Sequence, residues 1–398
     1  MSILHKKTKG ETLLASLHAA PDEAQQAGGY ADTLREILQQ PATWQATFDW
    51  LRSAVVQQPL AGALDPLPTH IVLTGSGSSI YIGECLAPIL QAGLRVPVQA
   101  IAAGTLLTHW RSVLPPGPGL LISVARSGDS PESASVVNAL LAEAPAWRHL
   151  VITCNAHGKL ATHYRNEPRV TALVLDERTN DRSLVMTSSF TNLLLGGTAL
   201  LQHAHAAEDA DAVRRAGADA QRIFDAQSDA IAALAQRDVT SAVYLGSGAA
   251  FGAAREGALK MLEMTGGKVI TLAETFLGLR HGPMSFIHPQ TLVVALLSSD
   301  PAVRRYECDL LRELSRKQLG MAQLVAGHDI PADVLGAGDV AIDLSASDTE
   351  MPTVLAGVVV TQLLAFFRCL HLGGKPDAPS EGVLTRVVED FAIHGAAP

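Results

Sequence analysis

The chain has 398 residues, 47% of them hydrophobic and 17% charged, with a formal net charge of −9. That length and apolar share fit a folded protein with room for two domains and exclude a disordered chain. The acidic balance and the lack of a long basic run argue against nucleic acid as a partner.

Lys6, Lys7 and Lys9 are followed by a mixed polar stretch rather than a continuous apolar run, so no secretory signal is expected. Residues 1–50 read as helical and amphipathic, with a loop near Ala27-Gly-Gly29 and aromatic side chains at Trp44, Phe48 and Trp50. Short β-rich runs then recur at 71–74, 97–101, 120–124, 150–154 and 172–175, separated by segments of helix length. An Ala-rich stretch over 186–237 reads as helical, and the rhythm restarts at 242–246, 268–272, 292–297, 322–326 and 340–343. Strands alternating with helices predict parallel pairing through right-handed crossovers. The apolar run from Pro352 to Phe367 is interrupted by Thr361 and Gln362. It falls short of the roughly 20 residues of a bilayer span and is expected as a buried helix, with no membrane partner. The expected division is a helical segment over 1–50, one domain over 51–215, a second over 216–370 and a tail over 371–398. Cys85, Cys154, Cys308 and Cys369 lie far apart without metal-ligand spacing, which predicts reduced thiols in a cytoplasmic protein. No metal and no cofactor are expected.

Two strand-to-helix loops carry the strongest chemical signal. After His70-Ile-Val-Leu73 comes Thr74-Gly-Ser-Gly-Ser-Ser79, then a helix-compatible segment from Ile80 to Leu94. Glycines let the backbone close around a ligand, and a helix N-terminus offers unpaired N–H groups and the positive end of the dipole. Ser76, Ser78 and Ser79 add hydroxyl donors without charge, a combination that suits a phosphate monoester. The strand Gly119-Leu-Leu-Ile-Ser-Val124 runs into Ala125-Arg-Ser-Gly-Asp-Ser-Pro-Glu132. There Ser130 is a good N-cap with Pro131 behind it, and Ser127 precedes the helix. Both loops open at strand carboxyl ends, where open α/β sheets bind ligands. Ordinary serine-rich turns remain the alternative. A dinucleotide fingerprint fits less well: Gly75-Ser-Gly-Ser-Ser-Ile80 lacks its third glycine, and Gln99 stands where an acidic ribose partner is expected.

The second half opens like the first, with Leu245-Gly-Ser-Gly-Ala-Ala250 against Leu73-Thr-Gly-Ser-Gly-Ser-Ser79. The glycines persist while two hydroxyls become Ala249 and Ala250. That predicts a repeated turn whose first copy grips phosphate. The following segment places Glu256, Lys260 and Glu263 at i, i+4 and i+7, on one helix face. A solvated face with a Glu–Lys pair is one explanation. The other is a general base, because Glu263 sits in a last turn where the helix dipole disfavours negative charge. Leu279-Arg-His-Gly-Pro283 then fixes His281 on a loop, either merely exposed or placed to shuttle a proton at a sugar ring oxygen. Thr153-Cys-Asn155 and Ser298-Ser-Asp300 also cap strands, without an assigned role.

Taken together with Arg126-Ser-Gly-Asp-Ser-Pro-Glu-Ser133, Asn180-Asp-Arg-Ser-Leu-Val-Met-Thr-Ser-Ser-Phe190 and Arg386-Val-Val388, these motifs resemble the sugar isomerase (SIS) fold over roughly 30–394. The likeness is greatest to the tagatose-6-phosphate ketose/aldose isomerase family, also described as galactosamine-6-phosphate deaminase/isomerases. It implies an α/β protein of two tandem SIS domains. Each would be a five-stranded parallel sheet flanked by helices, with an N-terminal helical segment and a C-terminal tail. It implies that Ser78, Ser79, Ser127 and Ser130 hold a sugar phosphate. Glu263 would move a proton between C2 and C1 with Lys260 beside it, and His281 would open the ring, reaching in from a neighbouring subunit. Two departures from the pattern of the similar isomerase half of glucosamine-6-phosphate synthase stand out. Ala125 replaces a phosphate-binding serine, leaving Arg126 as a charged contact, and Arg386 takes the place of an active-site lysine. The implied activity converts galactosamine 6-phosphate to tagatose 6-phosphate and ammonia. Aldose–ketose isomerisation without deamination and a non-catalytic sugar phosphate sensor are the alternatives. The implied partners are a phosphorylated hexose or hexosamine and further copies of the chain, as a homodimer or higher homo-oligomer sharing an active site.

Overall fold

Among the described residues ten strands form, where the sequence places its short apolar runs. The computed structural model describes residues 11–204, 210–380, 382–389 and 391–394. Lys6, Lys7 and Lys9, and positions 205–209 of the Ala-rich stretch, lie outside the described residues. The chain divides into two compact units, Ala42–Asp181 with Ser188–Ala210 and Leu384–Pro398, and Met1–Pro41 with Arg182–Thr187 and Asp211–Val383.

The expected N-terminal helices are α1 (Leu13–His18), α2 (Asp22–Gly28), α3 (Ala31–Leu38), α4 (Gln40–Leu51) and α5 (Ala54–Leu64). Gly29 ends α2 in a left-handed conformation at φ 65°, at the expected loop. The first sheet contains β1 (His70–Thr74), β2 (Val98–Ala100), β3 (Gly119–Ala125), β4 (Trp147–Thr153) and β5 (Val170–Val174). All pairs are parallel, in the order β2-β1-β3-β4-β5. Every residue of β3 is buried, which explains its unbroken apolar run. Helices α6 (Ser78–Leu94), α7 (Ala103–Val113), α8 (Pro131–Glu143) and α9 (Lys159–Thr162) supply the crossovers. Val72, Leu121 and Trp147 of the sheet pack with Leu106 of α7 and Val136 and Leu140 of α8. The β2 strand is shorter than the 97–101 expectation because Pro97 has no N–H and offers the ladder only its carbonyl, to Ile71.

The Ala-rich stretch is segmented rather than continuous. It runs as α10 (Ser188–Gly197), α11 (Ala199–Ala204), α12 (Ala210–Arg222), a π-turn at Ile223–Gln227 and α13 (Ser228–Ala235). The Ser228 hydroxyl donates to the Phe224 carbonyl beside the π-turn, competing with the regular ladder.

The second sheet contains β6 (Ser241–Gly246), β7 (Ile270–Thr275), β8 (Thr291–Leu296), β9 (Ala322–Gly327) and β10 (Val340–Asp343), ordered β10-β9-β8-β6-β7 and again parallel. Its helices are α14 (Ala249–Met264), α15 (Pro301–Arg316) and α16 (Glu350–His371). The run read as a buried helix is α16, buried from Pro352 to Leu370. Strand β7 begins later than the 268–272 expectation. Its ladder to β6 starts at Ser241↔Ile270 and carries on through the polar Glu274 and Thr275. All four cysteines are free and buried.

Candidate active site

In the first unit the Gly-Ser turn is sterically committed. Gly77 holds φ 56° and ψ −129°, a region closed to most side chains, and releases the chain into α6 at Ser78. A Cβ on Gly75 would lie 2.6 Å from the Ser79 Cβ and 3.0 Å from the Val124 carbonyl oxygen. Ser78 and Ser79 are therefore drawn into the first turn of α6, both buried.

The second loop is braced from below. The Asn155 amide nitrogen donates to the Ser127 carbonyl at 2.8 Å, the Thr153 hydroxyl donates to the Arg126 carbonyl at 3.3 Å, and the Lys159 N–H donates to Asp129 at 2.9 Å. Gly158 sits so close that a Cβ there would be 2.2 Å from the Ser127 carbonyl oxygen. These contacts give Thr153 and Asn155 the structural part that the sequence left open. Ser127 accepts from the Asp129 N–H at 3.3 Å. Ser130 is the N-cap of α8 and Pro131 follows it, as expected, but the Ser130 hydroxyl makes no capping hydrogen bond.

Ser76 and Arg126 have protein partners of their own. The Ser76 hydroxyl donates to Glu132 Oε1 at 2.8 Å. Glu132 is buried, and its second carboxylate oxygen has no hydrogen-bond partner. A hydroxyl has one proton to give, so while this pair stands Ser76 offers only lone pairs. The buried Arg126 guanidinium donates to the Arg386 carbonyl at 2.9 Å. Arg386 in turn donates to Asn180 Oδ1 at 2.8 Å and to the Asp181 carbonyl at 3.0 Å. Asp181 is buried, accepting from Ser188 at 3.0 Å and from the Ser189 N–H at 2.8 Å. Three of the quoted motifs thus meet in one hydrogen-bonded set.

In the second unit, burial removes one of the two readings left open for α14. Glu256 and Lys260 are both fully buried, so the solvated-face alternative is wrong. Small residues on α14 explain how. A Cβ added to Gly257 would meet Thr361 of α16 and Tyr244 of β6 at 2.9 Å, so this close approach excludes water from that face. The Lys260 ammonium lies 3.4 Å from Glu256 Oε1 and also donates to Glu263 Oε2. The Glu263 side chain keeps 23% of its surface exposed, whereas that of Lys260 keeps 1%. A buried cation is tolerated only when paired, and here two carboxylates pair it. With Glu256 balancing the ammonium, one carboxylate charge remains, and Glu263 is the member that a ligand can reach.

His281 ends the short helical turn Gly278–His281 and is exposed. Its neighbour Arg280 anchors the turn, donating to Glu313 of α15 at 2.7 Å. Hydrogen bonds from Lys317 and Arg280 hold the Glu313 carboxyl down at about 2. Among the described residues no group of His, Cys, Asp or Glu has metal-site geometry. Glu132 stood out for no role in the sequence, because an acidic residue in a first turn is commonplace.

No family model matches the chain. D-galactosamine-6-phosphate deaminase AgaS of Escherichia coli is 35% identical over 373 residues, covering 91% of this chain and 95% of that protein. The protein of the same name from Shewanella sp. (strain ANA-3) is 32% identical over 371 residues, 91% of each. The crystal structure of tagatose-6-phosphate ketose/aldose isomerase from Escherichia coli matches with a TM-score of 0.81 and 34% identity, over 88% of this chain and 95% of that one.

Proposed function

The chain belongs to the AgaS family of D-galactosamine-6-phosphate deaminases, and from that premise we propose that it converts galactosamine 6-phosphate and water to tagatose 6-phosphate and ammonia. The observation that carries the chemistry is Glu263, a reachable carboxylate tethered to a buried ammonium. Ser78, Ser79, Ser127 and Ser130 hold the C6 phosphate, with Arg126 as the nearby positive charge and Ser76 joining when its hydroxyl turns from Glu132 to the phosphate. His281, from the same chain or a second copy in a homodimer or higher oligomer, passes the C1 hydroxyl proton to the ring oxygen and opens the sugar. Glu263 removes the C2 proton while O1 takes up a proton, giving an enolamine, and returns it to C1 as the nitrogen gives up one of its own. The resulting C2 imine is hydrolysed by water, which supplies the ketone oxygen and releases ammonia. Lys260 holds the base in place throughout. One positioned carboxylate serves both transfers, a contribution of about 10²–10⁴-fold. Free buried thiols fit a reducing, cytoplasmic setting.

The name carried by the matching crystal structure favours a second reading, isomerisation of hexose phosphates without loss of nitrogen. Incubating the protein with galactosamine 6-phosphate and with glucosamine 6-phosphate, and measuring ammonia and ketose together, separates them. We expect stoichiometric ammonia and tagatose 6-phosphate from the first sugar. Turnover of tagatose 6-phosphate to an aldose without any ammonia from either amino sugar would transfer the assignment to the isomerase. Binding without turnover of any sugar would make the protein a sensor.

A further inference from the structure

The carboxyl edge of the second sheet repeats the build of the first, but the chain fills it with its own carboxylates. Read from the shorter arm, the order β7-β6-β8-β9-β10 matches β2-β1-β3-β4-β5. Gly248, at φ 55° and ψ −126°, reproduces Gly77 at φ 56° and ψ −129°. A Cβ on Gly246 would lie 2.3 Å from the Ala250 carbonyl oxygen, so the first glycine is as tightly constrained as Gly75. The loop after β8 enters α15 through Asp300-Pro301, as the loop after β3 enters α8 through Ser130-Pro131.

The donors at this edge are of kinds that bind phosphate elsewhere: backbone N–H groups in the loop before a helix, a serine hydroxyl and an arginine. Here they face Glu307 and Glu350. The Ser298 N–H donates to Glu307 Oε2 at 2.8 Å, the Ser298 hydroxyl donates to Glu350 Oε1, and the Ser299 N–H reaches Glu350 Oε2 at 3.5 Å. Arg304 Nη1 lies 3.5 Å from the Ser298 carbonyl. Glu307 is 1% exposed, and its Oε1 is buried without a hydrogen-bond partner. Burial, reinforced by the Glu350 charge, pushes the Glu307 carboxyl up to about 7, against the pull of the Ser298 N–H, the Ser247 hydroxyl and Arg304. Beyond Glu350 opens a cleft of about 580 Å³ whose lining includes Ser299, Arg304, His328 and Glu350. Cavities of this size take small ligands.

We infer that the second sheet carries a phosphate-monoester cradle built like the first and occupied by Glu307 and Glu350, so that each chain binds a single phosphosugar. Glu350 is the stopper between the cleft and the cradle. The inference rests on the reading of the first Gly-Ser turn as the phosphate grip.

The test is a titration of the full-length protein with inorganic phosphate, followed by 31P NMR, on the wild type and on Glu307→Gln/Glu350→Ala. Ammonia release from galactosamine 6-phosphate reports folding, since neither residue belongs to the catalytic set. The wild type should bind one phosphate per chain and the double variant two. If the double variant does not fold, Glu350→Ala alone, which frees the Ser298 hydroxyl and the Ser299 N–H from the Glu350 carboxylate, gives the same readout. A folded, active variant that still binds one phosphate overturns the self-occupied cradle. A wild type that binds none overturns the phosphate grip itself, which is a different failure.

Discussion

Lys260 shows how one side chain can serve both stability and chemistry. Its ammonium is buried between Glu256 and Glu263. Removing it leaves the fully buried Glu256 carboxylate without that cation, and breaking a buried pair typically costs about 3–5 kcal/mol. Lys260→Met should therefore lower the denaturant midpoint sharply and lower kcat. Adding Glu256→Gln should restore most of the stability without restoring kcat, because the base has lost its tether. A double variant as unstable as the single one would show that Glu256 does not balance Lys260. The spacing of these residues was plain in the sequence, but their burial was not. A Glu–Lys–Glu face looks the same whether it meets water or a neighbouring helix, and what decides is the close approach allowed by Gly257. The Ser76 pairing was hidden for a related reason: nothing in the local sequence shows that its hydroxyl donates to Glu132.

At the scale of elements, the strands were legible because buried parallel strands are short, apolar and bounded by turn residues. Strand ends were less so. Register on an edge strand depends on one partner, and β7 runs on into Glu274 and Thr275 for that reason. The Ala-rich stretch misled in the opposite direction, since local propensity does not reveal a π-turn at Ile223–Gln227. The two Gly-Ser-Gly turns make the sharpest comparison between elements. Gly77 and Gly248 share one backbone conformation, with positive φ. Alanine at either should cost about 1–2 kcal/mol through backbone strain. The outcomes should then diverge: Gly77→Ala raises KM for the phosphosugar, while Gly248→Ala leaves KM unchanged. Equal effects on KM would mean that the first turn does not hold phosphate.

At the scale of the whole molecule, the chain uses one sheet topology twice. Hydroxyl-bearing loops follow β1 and β3 of the first sheet. The helix after β6 of the second carries the charged triad, and its remaining edge is closed by glutamates. The repeat was visible in the matched glycines, Gly75 and Gly77 against Gly246 and Gly248. What closes the second edge was hidden, because Glu307 and Glu350 lie far from that turn in sequence. The central claim is that Glu263 carries the proton between C2 and C1. It is tested most directly by Glu263→Gln, following exchange of the C2 hydrogen of galactosamine 6-phosphate with solvent deuterium alongside ammonia release. Exchange and release should fall together by about 10²–10⁴-fold while phosphosugar binding stays within a few-fold of the wild type. Undiminished exchange in a folded Glu263→Gln protein would contradict the account.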